Sequence, residues 1–180
     1  MRVLFLILAG ILAACSPHHA NGGGPGTVVT LYGQIQTSNR AGLDPSVEPL
    51  FNTFGLAFDE AYAVSDIALE NLPQHVVEVD YPAGDRSRRF SGPLLRDVLA
   101  LAQGAGDMAV VTALDGYQRE IAMQRVADHD VILATHMDDA ALPMGGFGPA
   151  MLIWPRRSDP ALAGMPDDDW LWGVVAIEIR

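Results

Sequence analysis

Three tryptophans near the end of the chain are the side chains best suited to hold a flat ring. Trp154, Trp170 and Trp172 are all the tryptophans of the sequence. An indole face that stacks on a base-like ring contributes roughly 1–3 kcal/mol to binding, and Trp170 and Trp172 share one face if their segment is extended. Core packing is the other role open to each, because tryptophan buries well. We expect at least one of the three to stack on a ligand, with Trp172 and Trp154 as the first candidates.

Two further pairs of side chains could recognise the edge of such a ring. Asp115 and Tyr117 lie in the sequence LDGY, and a carboxylate can accept two hydrogen bonds from neighbouring ring N–H groups. Asp-Gly is also a common hairpin turn, and we favour that role for Asp115. Arg156 and Arg157 directly follow Trp154 and Pro155. They could cover a ring or donate to a carbonyl, or they could lie in a solvated loop.

Histidine and aspartate side chains between residues 129 and 139 do not form a recognisable metal motif. The segment THMDD and the preceding His129 and Asp130 lack the ligand spacing of known metal sites. The serines of the chain have neither a nucleophile elbow nor a triad pattern. The sequence therefore predicts no metal site and no hydrolase.

The helices and strands predicted around these residues indicate an α+β domain, mostly β-strand with short helices. Capping serines at Ser65 and Ser91 predict two helices, over residues 66–72 and 93–103. The Asp115-Gly116 turn joins two strands, and residues 50–63 could be a strand or a hairpin. Alternating and β-branched residues predict the other strands at 27–35, 75–81, 108–114, 118–123, 130–134, 148–154 and 171–179.

The size and charge of the chain limit the classes of partner. The chain has 180 residues, of which 49% are hydrophobic, enough for one domain with one core. Lysine is absent, and 11 arginines face 22 acidic residues for a net charge of −11. Binding to phosphates in nucleic acid needs clustered basic residues. We therefore expect no nucleic acid partner.

The first residues have the pattern of an exported, lipid-anchored protein. Arg2 is followed by an apolar run at residues 3–8, too short to span a bilayer. Leu12-Ala13-Ala14 then precede Cys15, the single cysteine, and this resembles the lipobox of bacterial lipoproteins. The resemblance implies cleavage before Cys15 and lipid on its sulfur. An ordinary secretory signal is the alternative. The implied division of the chain is a signal peptide at 1–14, a flexible glycine-rich tether at 15–26 and one domain at 27–180.

A lipidated Cys15 implies a place at the periplasmic face of a bacterial membrane. Each buried methylene contributes about 0.8 kcal/mol, so two or more chains hold a protein stably on a bilayer. In such lipoproteins an aspartate after the cysteine favours the inner membrane. Ser16 stands there instead, which favours the outer membrane.

Three sequence blocks, in order, resemble the sulfite oxidase-like family of oxidoreductase molybdopterin-binding domains. They are FSGPLLRDVLALAQ at 90–103, VVTALDGYQREI at 110–121 and LATHMDDAALPMGGFGPAMLIWP at 133–155. The segment SDIALENLPQHVVEV at 65–79 fits the helix and strand that precede them in the family. The resemblance covers most of residues 27–180 and implies the compact, mainly β fold of that family.

The chain departs from the family where the cofactor is held. Catalytic members place a molybdenum-ligating cysteine in the segment that here reads VEVDYPAGDRSRRF, at 77–90, which has no cysteine. A thiolate is a soft ligand suited to such a metal. The family's histidine and arginine for the phosphate end correspond here to Gly145-Gly146 and Met151. We therefore expect no molybdenum and no enzymatic activity.

The missing cysteine, the single domain and the segment DDDWLWGVVAIEI at 167–179 resemble a metal-free branch of the family. Its members are periplasmic proteins that bind a free pterin and report it to a membrane-bound cyclase or phosphodiesterase of cyclic di-GMP. This implies a pterin ligand, with a ring edge like that of guanine. The first alternative is a molybdopterin-dependent oxidoreductase with an atypical site lacking the cysteine. The second is an interaction module whose pocket is filled by Trp154 and Trp172.

Overall fold

The computed structural model describes residues 26–180. The predicted signal peptide, the lipidation at Cys15 and the tether up to residue 25 lie outside the described residues. The described part contains three β-sheets and four short helices, and the prediction of an α+β, mostly β domain is confirmed. None of the helices in this part of the chain has the length and apolar character needed to cross a membrane.

The elements follow one another along the chain with short connections. The helices are α1 Pro49–Thr53, α2 Asp66–Glu70, α3 Leu95–Ala100 and α4 Met123–Asp128, and two 3₁₀ turns cover Pro160–Leu162 and Asp167–Asp169. The strands are β1 Thr27–Gly33, β2 Arg40–Ala41, β3 Glu60–Ser65, β4 Gln74–Asp80, β5 Ser87–Pro93, β6 Met108–Ala113, β7 Gln118–Ala122, β8 Ile132–Ala134, β9 His136–Met137, β10 Ala140–Ala141, β11 Met151–Ile153 and β12 Val174–Ile179.

The largest sheet has six strands in the order β2-β3-β1-β12-β6-β7. Strands β1 and β12 pair in parallel, with Thr30 opposite Ala176, and the other pairs are antiparallel. Alternating side chains of β1 bury both faces of this sheet. Val29 and Leu31 enter the main core, whereas Tyr32 joins a smaller core with Ala176. The sheet therefore lies between the main core and the smaller core.

Two smaller sheets complete the domain. One has the order β10-β9-β5-β4, and the other pairs β11 with β8. Single bridges from Leu94 to Ile132 and from Met151 to Trp172 connect these strands to neighbouring segments. The bridge at Trp172 places that residue beside β11, and Gly173 separates it from the start of β12.

The two predicted helix caps have different outcomes. Ser65 caps α2, because its hydroxyl accepts a hydrogen bond from the Ala68 amide at 3.1 Å. The prediction for Ser91 is wrong, since Ser91 lies inside β5 and pairs with Val76. Helix α3 begins later, and its N-cap residue Leu94 has no side-chain cap. Pairing with β4 therefore outweighs the local preference of Ser91 for a helix cap.

Residues 50–63 contain a helix as well as a strand. The chain forms α1, turns, and then enters β3. Phe51, Phe54 and Phe58 of this region pack against the small core beside Tyr32. The sequence predicted a strand or hairpin here because spaced aromatic residues suit either element.

Candidate ligand-binding cleft

A cleft of about 220 Å³ opens at one end of the six-stranded sheet. It brings together four predicted site residues, Asp115, Tyr117, Trp170 and Trp172, which come from two separate segments of the chain. The full set of residues that line the cleft is Tyr81, Ala113, Asp115, Tyr117, Asp167, Asp168, Trp170, Leu171 and Trp172.

The turn between β6 and β7 supplies Asp115 and Tyr117. Gly116 has a φ of +85°, a conformation that glycine adopts without strain. The Asp115 Oδ1 atom accepts a hydrogen bond from the Tyr117 amide at 2.9 Å, so Asp115 does serve the turn. Its Oδ2 atom has no partner among residues 26–180. One carboxylate oxygen thus remains free to accept a hydrogen bond in the cleft.

Tyr117 and Trp172 are the exposed aromatic side chains of the cleft. Tyr117 is 46% exposed and Trp172 39% exposed, and within residues 26–180 they are the two aromatic members of the exposed large hydrophobic set. Large aromatic side chains usually bury most of their surface, and exposed ones often mark a binding surface. Both lie in the same cleft, so it presents two aromatic surfaces to a ligand.

Trp170 forms the floor of the cleft rather than an open face. It is only 2% exposed, and Tyr81 stacks on it with ring centroids 5.4 Å apart and an interplanar angle of 12°. The Arg156 guanidinium also lies over the ring, 4.5 Å from its centroid. The buried indole Nε1 has no hydrogen-bond partner in the described chain. This N–H is therefore a buried donor without a partner in residues 26–180, beneath the cleft surface.

Tyr81 is a cleft residue that the analysis of the sequence did not single out. It directly follows β4, within the segment 77–90 where the resemblance places the family's metal-binding cysteine. Its place in that segment was the sequence feature that could have indicated a role for Tyr81. Burial raises the pKa of Tyr81, and Asp167 adds to this effect while Arg156 opposes it. Tyr81 therefore stays a neutral hydroxyl at neutral pH.

Arg156 and Arg157 take different places. Arg156 is buried and ties the end of β4 to the 3₁₀ turn at Asp167–Asp169. Its Nη2 donates to the Asp80 carbonyl at 2.5 Å, and its Nη1 donates to the Asp167 carboxylate. Arg157 instead donates to the Ser87 hydroxyl at 2.7 Å and does not line the cleft. Arg156 thus contacts the cleft residues Asp167 and Trp170 without lining the cleft itself.

Trp154 lies in the core and does not line the cleft. It is completely buried, and its Nε1 donates to the Asp169 carbonyl at 2.8 Å. The Arg125 guanidinium lies 4.3 Å from its ring centroid. Its indole therefore positions the segment that carries the cleft residues 167–172.

Asp169 is the ionic anchor of the same segment. Its carboxylate accepts hydrogen bonds from Arg119 Nε at 2.5 Å and from Arg125 Nη1. Burial acts to raise the pKa of Asp169, but the hydrogen bonds from Arg125 and Arg119 outweigh it and lower the pKa. Asp169 is thus ionised at neutral pH and holds the wall of the cleft in place.

The donor set around the cleft does not fit a molybdenum-carrying molybdopterin. Residues 26–180 contain no cysteine, so no thiolate of the described chain can ligate the metal. Within that range no cluster of three or more His, Cys, Asp or Glu side chains is arranged for a metal ion. Asp115, Asp167 and Asp168 line the cleft, where a phosphate end would need cations.

Comparison with known proteins agrees with this fold. Residues 75–158 match the family described as the oxidoreductase molybdopterin binding domain. The sulfane dehydrogenase SoxCD from Paracoccus pantotrophus is similar in structure, with a TM-score of 0.58 and 16% sequence identity over 85% of this chain. The chain spans 38% of the length of that protein. No curated protein matches the chain. Residues 75–158 are therefore similar to the oxidoreductase molybdopterin binding domain family, and the structure has a fold of that kind.

Proposed function

We propose that this protein binds a pterin-like small molecule in the cleft without molybdenum. The observation that carries the proposal is the joint placement of Tyr117, Trp172 and Asp115 around one opening. Two exposed aromatic surfaces can stack on a flat ring, each contributing roughly 1–3 kcal/mol. The free Oδ2 atom of Asp115 can accept from the 2-amino and N3 hydrogens of the ring edge.

The size of the cleft supports a small bicyclic ligand. Its volume of about 220 Å³ is below the roughly 300–1,000 Å³ typical of pockets for drug-sized ligands. A free pterin needs less room than a molybdopterin with its dithiolene and phosphate.

Binding rather than catalysis is the role that these residues favour. The segment 77–90 contributes Tyr81 to the cleft and Asp80 to Arg156, and neither side chain offers the soft ligand of the catalytic members. The alternative of a filled pocket is less well supported. Trp154 does pack in the core, but Trp172 keeps 39% of its surface exposed.

The proposal includes a lipid anchor and a signalling role. Leu12-Ala13-Ala14 before Cys15 support attachment to the periplasmic face of a membrane, with the outer membrane favoured by Ser16. The partner would be a membrane-bound cyclase or phosphodiesterase of cyclic di-GMP. In the native host, deletion of the gene should change the cellular level of cyclic di-GMP, and a Trp172→Ala variant should reproduce that change. An unchanged level in both strains would argue against the signalling role.

The binding step is tested by titrating the full-length protein in detergent with 6-hydroxymethylpterin. Tryptophan fluorescence and calorimetry should show saturable binding. Trp172→Ala should weaken it about tenfold, which corresponds to one lost stacking contact. The matched control is Ile67→Ala, which removes another exposed apolar side chain, 65% exposed on α2. Absence of binding up to about 1 mM, a free energy near −4 kcal/mol, would refute the proposal, as would equal effects of the two variants.

A further inference from the structure

We infer that the carboxylates of the cleft make it selective for unphosphorylated ring compounds, with Asp168 as a specificity-determining residue. This inference rests on the proposed function, because it concerns the ligand of the same cleft. It predicts that the protein distinguishes a free pterin from the phosphate ester of the same pterin.

Three carboxylates line the cleft, and they differ in what they already bind. Asp167 accepts from Arg156 and from the Ala83 amide at 2.8 Å. Asp115 accepts from the backbone of its own turn. Asp168 is exposed and has neither a hydrogen bond nor an ion pair with any described residue. Its negative charge is therefore not paired by a hydrogen bond or ion pair within residues 26–180 and can act on a charged ligand in the cleft.

The cations close to the cleft are already engaged. Arg156 is bound by Asp80 and Asp167, and both Arg119 and Arg125 are bound by Asp169. The carboxylates in and next to the cleft outnumber the guanidiniums by two. The carboxylates are Asp80, Asp115, Asp167, Asp168 and Asp169, and the guanidiniums are Arg119, Arg125 and Arg156.

Arg119 is the cation that comes nearest to compensating Asp168. The hydrogen bond and the charge of Asp169 are the main causes that raise the pKa of Arg119, and Asp168 adds a smaller effect of the same sign. The guanidinium Nε lies 2.5 Å from Asp169 Oδ1. A phosphate would have to compete with that carboxylate for the same cation, so Arg119 does not offer a free phosphate site.

Because a phosphate ester is negatively charged, the carboxylates of the cleft should weaken its binding relative to that of the free pterin. A phosphate monoester carries about −1.5 to −2 charges at pH 7. Like charges several ångströms apart in a solvated cleft repel each other modestly, and salt screens the effect with a Debye length of about 10 Å at 0.1 M. Summed over three carboxylates, we expect the phosphate ester to bind about tenfold more weakly than the free pterin at low salt.

The neutral contacts of the cleft are the same for both compounds. The rings of Tyr117 and Trp172 would meet the same pterin bicycle in either ligand. The difference in affinity therefore reports the charge of the cleft and not its shape.

The experiment compares 6-hydroxymethylpterin with its phosphate monoester on the full-length protein in detergent. Affinities are measured by calorimetry at low and at high salt. The wild type should prefer the free pterin about tenfold at low salt, and the preference should shrink at 0.5 M salt, where screening is strong. Asp168→Asn should reduce the preference by about two- to threefold, in line with the removal of one of the three charges.

The matched control is Asp59→Asn. Asp59 is also exposed, but it directly precedes β3, near the opposite edge of the sheet from the β6–β7 turn. It should leave the preference unchanged. Equal affinity of the two compounds for the wild type would overturn the inference while leaving pterin binding intact. A loss of preference in both variants would overturn the role of Asp168. Failure of both compounds to bind would overturn the proposed function together with this inference.

Discussion

Replacement of Asp169 by asparagine should loosen the support of the cleft and lower the stability of the domain. The carboxylate is buried and accepts from both Arg119 and Arg125. An asparagine of nearly the same shape offers one oxygen to one guanidinium and turns an N–H₂ group towards the other. The variant therefore removes an ionic acceptor without opening a cavity.

The size of the effect follows from the exposure of the three partners. Hydrogen bonds to charged groups contribute about 1.5–3 kcal/mol each when buried. The side chains of Arg119 and Arg125 are 41% and 37% exposed, so water rehydrates them and reduces the loss. We expect Asp169→Asn to lower the free energy of unfolding by about 2 kcal/mol, which for a domain of this size lowers Tm by roughly 4–8 °C.

The same substitution should change the response to acid. The pKa of Asp169 is lowered in the folded protein, so the folded state binds fewer protons than the unfolded state near the ordinary pKa. Its contribution to stability is present above that ordinary pKa of about 3.9 and is lost as pH falls through the folded pKa. The difference between wild type and Asp169→Asn should therefore shrink as the pH is lowered from 7 towards 3.

Urea denaturation at several pH values measures both effects. Asp168→Asn is the matched control, because the neighbouring carboxylate has no ion pair with a described residue; its stability should stay within about 0.5 kcal/mol of the wild type. If Asp169→Asn lowers the free energy of unfolding no more than this control at pH 7, or if its effect is independent of pH, the ion pairs of Asp169 do not stabilise the domain.

Two other substitutions test separate parts of the structure. Cys15→Ser should move the protein from the membrane fraction to the soluble fraction and abolish labelling by palmitate, because the lipid would have no sulfur to join; retention in the membrane fraction would contradict a lipid anchor. Gly33→Ala should be strongly destabilising, since a Cβ there would lie 2.3 Å from the Ile179 carbonyl oxygen and the φ is +92°. Gly55→Ala also has a positive φ, but its Cβ would meet nothing within 4 Å, so thermal unfolding should show the smaller loss there, of about 1 kcal/mol. Equal losses would contradict the tight contact at Gly33.

Local sequence signals predicted the elements that depend on neighbouring residues. The Asp115-Gly116 turn lies between β6 and β7 as expected, and Ser65 caps α2. Both involve residues that are close in the chain, so their chemistry can be read without knowing the fold. The family resemblance then supplied the overall architecture, which pattern alone could not fix.

The features that the sequence did not reveal depend on distant partners. Strand β5 is rich in charged residues and contains Gly92, yet it pairs along its length with β4. The place of Arg156 is decided by Asp80, which lies 76 residues earlier. Tyr81 enters the cleft only because the end of β4 meets the segment of Trp170. No local pattern predicts such encounters, since tertiary packing overrides propensity at these positions.

The parallel pairing of β1 with β12 has a consequence for how the molecule would face a bilayer. Both strands start at the same end of the sheet, so the point where the chain enters the domain, before Thr27, lies on the same side as Trp172. Arg180 closes the opposite end. With lipid on Cys15, the eleven residues between Cys15 and Thr27 could extend to at most about 40 Å. The cleft would then lie on the side of the domain where the tether enters, and the tether would keep it close to the bilayer, within reach of integral membrane proteins.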